Sequence, residues 1–171
     1  MSGFMFGGSA LALDIGVKNT TGIDLQRGDI VQVALLNADA ADGFNAVIPS
    51  IAATTVGQLA PYGVVQAPEG HEIRDDEDMI IRILGVTDVS LQVNAGTTYT
   101  RDQVSAPNTA GAAGVRCTLA ASATLTSTAT AGGLQEMARA HAVILGANVT
   151  TAGTGTREWV SCWFNGLTTW G

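Results

Sequence analysis

From Gly28 the chain alternates in register. In GDIVQVALL, Ile30, Gln32 and Ala34 fall on one face and Val31, Val33 and Leu35 on the other, the period of two that a pleated strand requires. Gly28 and Asp29 supply the turn before it. The same pattern predicts strands at Asn45 to Ile48, Tyr62 to Gln66, Met79 to Leu84 and Val86 to Val93, with Gly85 as a bulge or tight bend between the last two. Met137 to Leu145 alternates again, with Ala138, Ala140, Ala142 and Ile144 opposite Met137, Arg139, His141, Val143 and Leu145. After a turn at Thr151 to Gly155, the run Glu158 to Phe164 carries Trp159, Val160, Trp163 and Phe164, the densest aromatic cluster of the chain. This hairpin is expected to close the core. Short strands at such spacing predict an all-β fold, a small β-barrel or β-sandwich.

Two stretches break the pattern. Thr97 to Ala113 reads as a strand fragment leading into an open loop, because Pro107, Asn108 and Gly111 interrupt it. Thr118 to Gly133 is almost entirely Ala, Thr, Ser, Leu and Gly. Its Thr/Ala alternation around Leu125 suggests strand and loop, with a short helix near Gln135 to Ala140 as the rival reading. Residues 1–22, rich in Gly and Ser, are assigned to an extended N-terminal arm, leaving 23–171 as the β-rich domain. Phe4, Met5 and Phe6 tip that arm; the alternative is an edge strand folded onto the same subunit.

Composition sharpens this picture. A chain of 171 residues suits one domain with a real core. Only 13% of residues are charged while 46% are hydrophobic, which favours a protein that buries part of its surface against copies of itself or a larger partner. Lys18 is the single lysine, and with seven arginines it faces fifteen acids, for a net charge of -7. No two arginines are adjacent, so the clustered cations that neutralise phosphates are missing and nucleic acid is not an expected partner. The same charge repels an anionic membrane surface. The N-terminus lacks the basic start of a signal peptide, and no apolar run approaches the roughly 20 residues of a membrane span. Synthesis in the cytoplasm without secretion is the expectation.

Candidate chemistry is sparse. Glu69 to Asp78, EGHEIRDDED, gathers six acids with His71 and Arg74 and could present oxygen ligands to a hard cation. It lacks the EF-hand frame, however, and consecutive acids on an extended backbone point in opposite directions, so a solvated charged turn that protects a sheet edge is the preferred reading. Cys117 and Cys162 lie among strand-like residues and suit buried free thiols in neighbouring strands, a disulfide being the alternative. His71 and His141 are the only histidines, and neither stands in a recognised pairing with Ser or Cys and an acid. The glycine-rich spots Gly7 to Ala10 and Thr151 to Thr156 lack the Lys and helix of a phosphate loop. An enzyme is not expected, nor a cofactor or a metal.

The segments LQRGDIVQV (Leu25 to Val33), APYGVV (Ala60 to Val65), MIIRILGVTDVSLQV (Met79 to Val93), ARAHAVIL (Ala138 to Leu145) and VSCWFNG (Val160 to Gly166) follow one grammar in one order. In that order the chain resembles the small β-rich decoration, or cement, proteins of tailed-bacteriophage capsids. The resemblance spans Leu25 to Gly166; the tract Ala110 to Gly133 has no counterpart in it. It implies a virion structural protein on the exterior of the assembled capsid, bound to the major capsid protein and bridging adjacent capsid subunits. It also implies a homo-oligomer, trimeric by preference and dimeric as the alternative. Phe4, Met5, Phe6 and Trp170 are the residues expected at such contacts, since aromatic anchors are enriched there. Two other readings remain: another virion part, such as a head fibre base or tail component, and a carbohydrate-binding β-sandwich with Trp159, Trp163 and Tyr62 as its platform.

Overall fold

The computed structural model describes residues 11–34, 44–47, 61–91, 98–101, 104–105, 107–108, 118–119, 141–152 and 158–167. Among them every regular element is a strand, as the alternation predicts: β1 (Leu13–Asn19), β2 (Leu25–Gln26), β3 (Ile30–Ala34), β4 (Asn45–Val47), β5 (Tyr62–Gln66), β6 (Glu72–Ile73), β7 (Asp78–Ser90), β8 (Thr98–Tyr99), β9 (Val104–Ser105), β10 (Pro107–Asn108), β11 (Thr118–Leu119), β12 (His141–Ile144), β13 (Val149–Thr150) and β14 (Trp159–Asn165). The helix considered at Gln135 to Ala140 lies outside the described residues, as do Cys117 and most of Thr97 to Gly133. No helix in the described part is long and apolar enough to cross a membrane.

The main sheet has eight strands in the order β1-β4-β3-β5-β7-β14-β12-β9, and β1 also pairs with β7. That extra pairing closes β1, β4, β3, β5 and β7 into a barrel, while β14, β12 and β9 continue as an open sheet. β7 makes both possible. Ile80, Ile81 and Arg82 have Gly16, Ile15 and Asp14 of β1 on one edge and Gln66, Val65 and Val64 of β5 on the other. Farther along, Leu84 to Ser90 pair with Asn165 to Trp159 of β14. The bend expected at Gly85 is instead accommodated within one continuous strand. Gly85 takes φ +124°, and a Cβ there would meet the Leu11 carbonyl oxygen at 2.6 Å.

Two hydrophobic cores follow. Inside the barrel, Val17, Val31, Val33, Val65, Met79 and Ile81 pack together, and the β2–β6 ladder lays Leu25 and Ile73 over one end. The second core joins Ile30, Val64, Val89, Ala142, Ile144, Val160, Cys162 and Phe164, capped by Tyr99 of the β8–β13 ladder. Consecutive residues of β3 (Ile30, Val31) and β5 (Val64, Val65) go to different cores, so both faces of this shared wall are apolar. That is why these runs look continuous rather than strictly alternating. Burying a side chain the size of Phe164 stabilises by roughly 1.5–3 kcal/mol.

The stretch assigned to the arm divides. Residues 1–10 lie outside the described part, but Leu13–Asn19 form β1 and close the barrel. The physical reason is a period of two in LALDIGVKN: Val17 is buried and Ile15 packs against the barrel core, while Leu11 and Leu13 at the entry stay exposed.

Candidate functional site

Two regions carry enough polar or aromatic groups to be candidates. The first is the acidic turn. Glu69, Glu72, Asp75, Asp76, Glu77 and Asp78 all face solvent, and four of them, Glu72, Asp75, Asp76 and Glu77, line a shallow open concavity with Gln26, His71 and Arg74. Several of these carboxylates shape the turn itself. Glu77 Oε2 accepts the Arg74 N–H (2.9 Å), Asp75 Oδ1 accepts the Gly22 N–H (2.9 Å), Asp76 lies 3.1 Å from Lys18 Nζ, and Glu72 accepts from Gln26 Nε2. Among the described residues no three His, Cys, Asp or Glu side chains gather in a metal-holding arrangement. The geometry is that of a solvated charged turn.

The turn is clamped from below by Asn19, which is fully buried. Its Nδ2 donates to the carbonyls of Ile23, Ile73 and Arg74 (2.9, 3.1 and 3.0 Å), and its Oδ1 accepts from the Thr21 N–H and hydroxyl. Buried amides of this kind must be satisfied, and this one ties the end of β1 to a turn more than 50 residues away.

The second region is the outer face of β14. Burial alternates strictly along this strand. Val160, Cys162 and Phe164 point into the second core, whereas Trp159, Ser161 and Trp163 point outward, half-buried. The hairpin expected to close the core does contribute to it, through Val160, Cys162 and Phe164, while the strand's parity leaves the indoles of Trp159 and Trp163 on the far side. Tyr62, grouped with them in the sequence reading, packs against the second core instead. Opposite the outward row, β7 presents Ser90, Asp88 and Val86 as direct partners of Trp159, Ser161 and Trp163. Asp88 pairs with Arg27 from the turn before β3.

That turn also fixes Trp159. The indole Nε1 donates to the Arg27 carbonyl at 3.0 Å, and a Cβ at Gly28 would lie 2.7 Å from the indole Cδ1, so only glycine lets the turn pass this close. Asp14 and Arg82 form a second outward ion pair, with Arg82 Nε and Nη2 on the two carboxylate oxygens at 2.8 Å. The Arg82 hydrogen bonds hold the Asp14 carboxyl below the usual carboxylate range despite some desolvation. On the inner side, burial pushes the Cys162 thiol up to about 12, and the Asp88 charge adds to the effect.

Phe4, Met5, Phe6 and Trp170 lie outside the described residues, and so does the side chain of His141. What the described surface adds to them is a set of exposed apolar side chains: Leu11 (69%), Phe44 (51%) and Ile80 (53%), with Leu13, Leu145 and Leu167 less exposed. Sequence reasoning missed Asn19, Arg27 and Asp88 as structural determinants. The grouping of Trp159 with Ser161 and Trp163 was available from parity alone. No protein-family model, curated protein or solved structure matches the chain.

Proposed function

We propose that this protein is a virion structural protein that binds the outside of an assembled bacteriophage capsid and stabilises the shell by bridging adjacent capsid subunits. The observation that carries the reading is the exposure of Leu11, Phe44 and Ile80 on a β-barrel in which only 13% of residues are charged. Such apolar surface is best used when covered by a partner. Leu11 and Leu13 also stand where residues 1–10, with Phe4, Met5 and Phe6, join the barrel. The net charge of -7 supports a position away from packaged DNA, on the exterior. The order of strand segments from Leu25 to Gly166, which resembles the decoration proteins of tailed phages, supports the same role.

Mechanistically, such a protein acts by linkage. Binding the expanded shell in preference to its precursor stabilises the expanded form by the differential binding energy, summed over many copies. No single contact has to be strong. The partner is the major capsid protein, and the working unit is a homo-oligomer, a trimer by preference.

The test is quantitative peptide mass spectrometry of gradient-purified virions, taking the ratio of this chain to the major capsid protein. A simple fraction of one copy per capsid subunit is expected. A handful of copies per particle would assign it to a vertex, head fibre or tail instead, and its absence from virions would end the reading.

A further inference from the structure

We propose that the outer face of β14 is an oligosaccharide-binding surface, with Trp159 and Trp163 as stacking platforms and Ser161, Asp88 and Arg27 as the polar groups between them. The two indoles share one face of one strand four residues apart, a separation of about 13 Å at the rise of a β-strand. That is wider than a single pyranose ring and matches a short chain of sugars lying along the strand. Between the rings sits the Ser161 hydroxyl, directly across from Asp88, whose carboxylate is already oriented by Arg27.

This order of groups is what separates the proposal from a protein contact. A protein interface concentrates apolar side chains at its centre and leaves charges to its rim. Here the sequence across the face is ring, hydroxyl with carboxylate and guanidinium, ring. A saccharide offers the complementary series, apolar C–H faces separated by hydroxyls that both donate and accept. Leu145, whose N–H bonds the Ser161 carbonyl at 2.9 Å, is an exposed apolar residue just past β12. Preorganisation adds to the case. Trp159 is locked by its bond to the Arg27 carbonyl and by the close approach of Gly28, so little side-chain entropy remains to be lost on binding. The inference does not depend on the capsid reading; a protein on a virion exterior and a free lectin-like module would both have use for such a face.

The test uses the full-length protein on an array of oligosaccharides derived from bacterial, fungal and plant polysaccharides, followed by calorimetric titration of the best binder. Saturable binding is expected. Trp163→Ala should weaken it about tenfold or more, the loss of one stacking contact. Asp88→Asn should weaken it by a smaller factor, with circular dichroism and the thermal midpoint near wild type in both variants. Trp163 is chosen over Trp159 because Trp159 also holds the Arg27–Gly28 turn. The proposal is overturned if no sugar on the array gives saturable binding at millimolar concentration. It is equally overturned if both variants bind as wild type does, or if Trp163→Ala abolishes self-association while leaving sugar binding intact.

Discussion

Cys162 shares the inner face of β14 with Val160 and Phe164, and there its thiol serves as packing. Burial raises its pKa to about 12 from the ordinary 9.0, with the nearby Asp88 charge as the second cause. The sign of the pH effect follows. A folded-state pKa above the unfolded one means that the folded form holds its proton more tightly. Its contribution to stability is therefore whole below pH 9.0 and declines as pH rises from there towards 12. The same burial makes the thiol inert. Iodoacetamide at about pH 8, near the ordinary thiol pKa, should leave Cys162 unmodified in the folded protein and label it fully in guanidinium, as read by peptide-level mass spectrometry. Rapid labelling of the native protein would contradict the packing of the second core. A free buried thiol at this position was legible in the sequence, because Cys among strand residues is far more often packed than reactive. The outward place of the tryptophans on either side of it was legible too, in their parity with Ser161 and in the platform alternative; what that alternative got wrong was Tyr62, which packs against the second core.

β7 is the element on which the architecture turns, and the change of partner along its edge occurs at one residue. Gly166 donates its N–H to the Ile83 carbonyl (2.7 Å) and accepts the Tyr62 N–H (2.8 Å), so it stands in the fork where β5 gives way to β14. A Cβ on Gly166 would lie 1.9 Å from the Tyr62 carbonyl oxygen, which is backbone and cannot swing aside. Gly166→Ala must therefore pry β5 from β14 and disturb both cores. A loss of about 3 kcal/mol or more is expected in denaturant titrations, whereas a loss below about 1 kcal/mol would show that the fork is looser than its hydrogen bonds imply. The strands meeting here were legible, since Tyr62 to Gln66, Met79 to Leu84 and Glu158 to Phe164 all carry short-range patterns. Their partners were not. The parallel pairing of Lys18 and Asn19 with Asn45 and Ala46, and the return of β1 to β7, join segments far apart in sequence, and no local periodicity encodes such closure. β1 itself was hidden by its neighbours, because the glycine-rich residues before it drew LALDIGVKN into the arm. The acidic turn was read correctly as solvated, but the device that holds it, Asn19 bonded to Ile73 and Arg74, is again long-range.

For the whole molecule, the division of labour between the barrel and the residues before it gives the sharpest test of the proposed role. Every residue of the described barrel core, from Val17 through Val31 and Val65 to Ile81, lies in or after β1. Residues 1–8, with Phe4, Met5 and Phe6, precede the exposed Leu11 and Leu13 in the sequence. If those aromatics meet a neighbouring subunit or the shell, removing residues 1–8 should lower occupancy on capsids, measured by co-sedimentation and densitometry. The thermal midpoint of the free protein should stay within a few degrees of wild type, because no described core contact is lost. Avidity sharpens the effect. A decoration lattice engages its shell through many copies at once, so a modest loss per contact is multiplied and occupancy should fall steeply rather than in proportion. Unchanged occupancy would remove the arm from the mechanism and leave Phe44 and Ile80 as the surface to examine. A lowered midpoint would mean instead that residues 1–8 cover Leu11 and Leu13 of their own barrel, as an added edge strand would, and the apolar surface that supports the capsid reading would shrink accordingly.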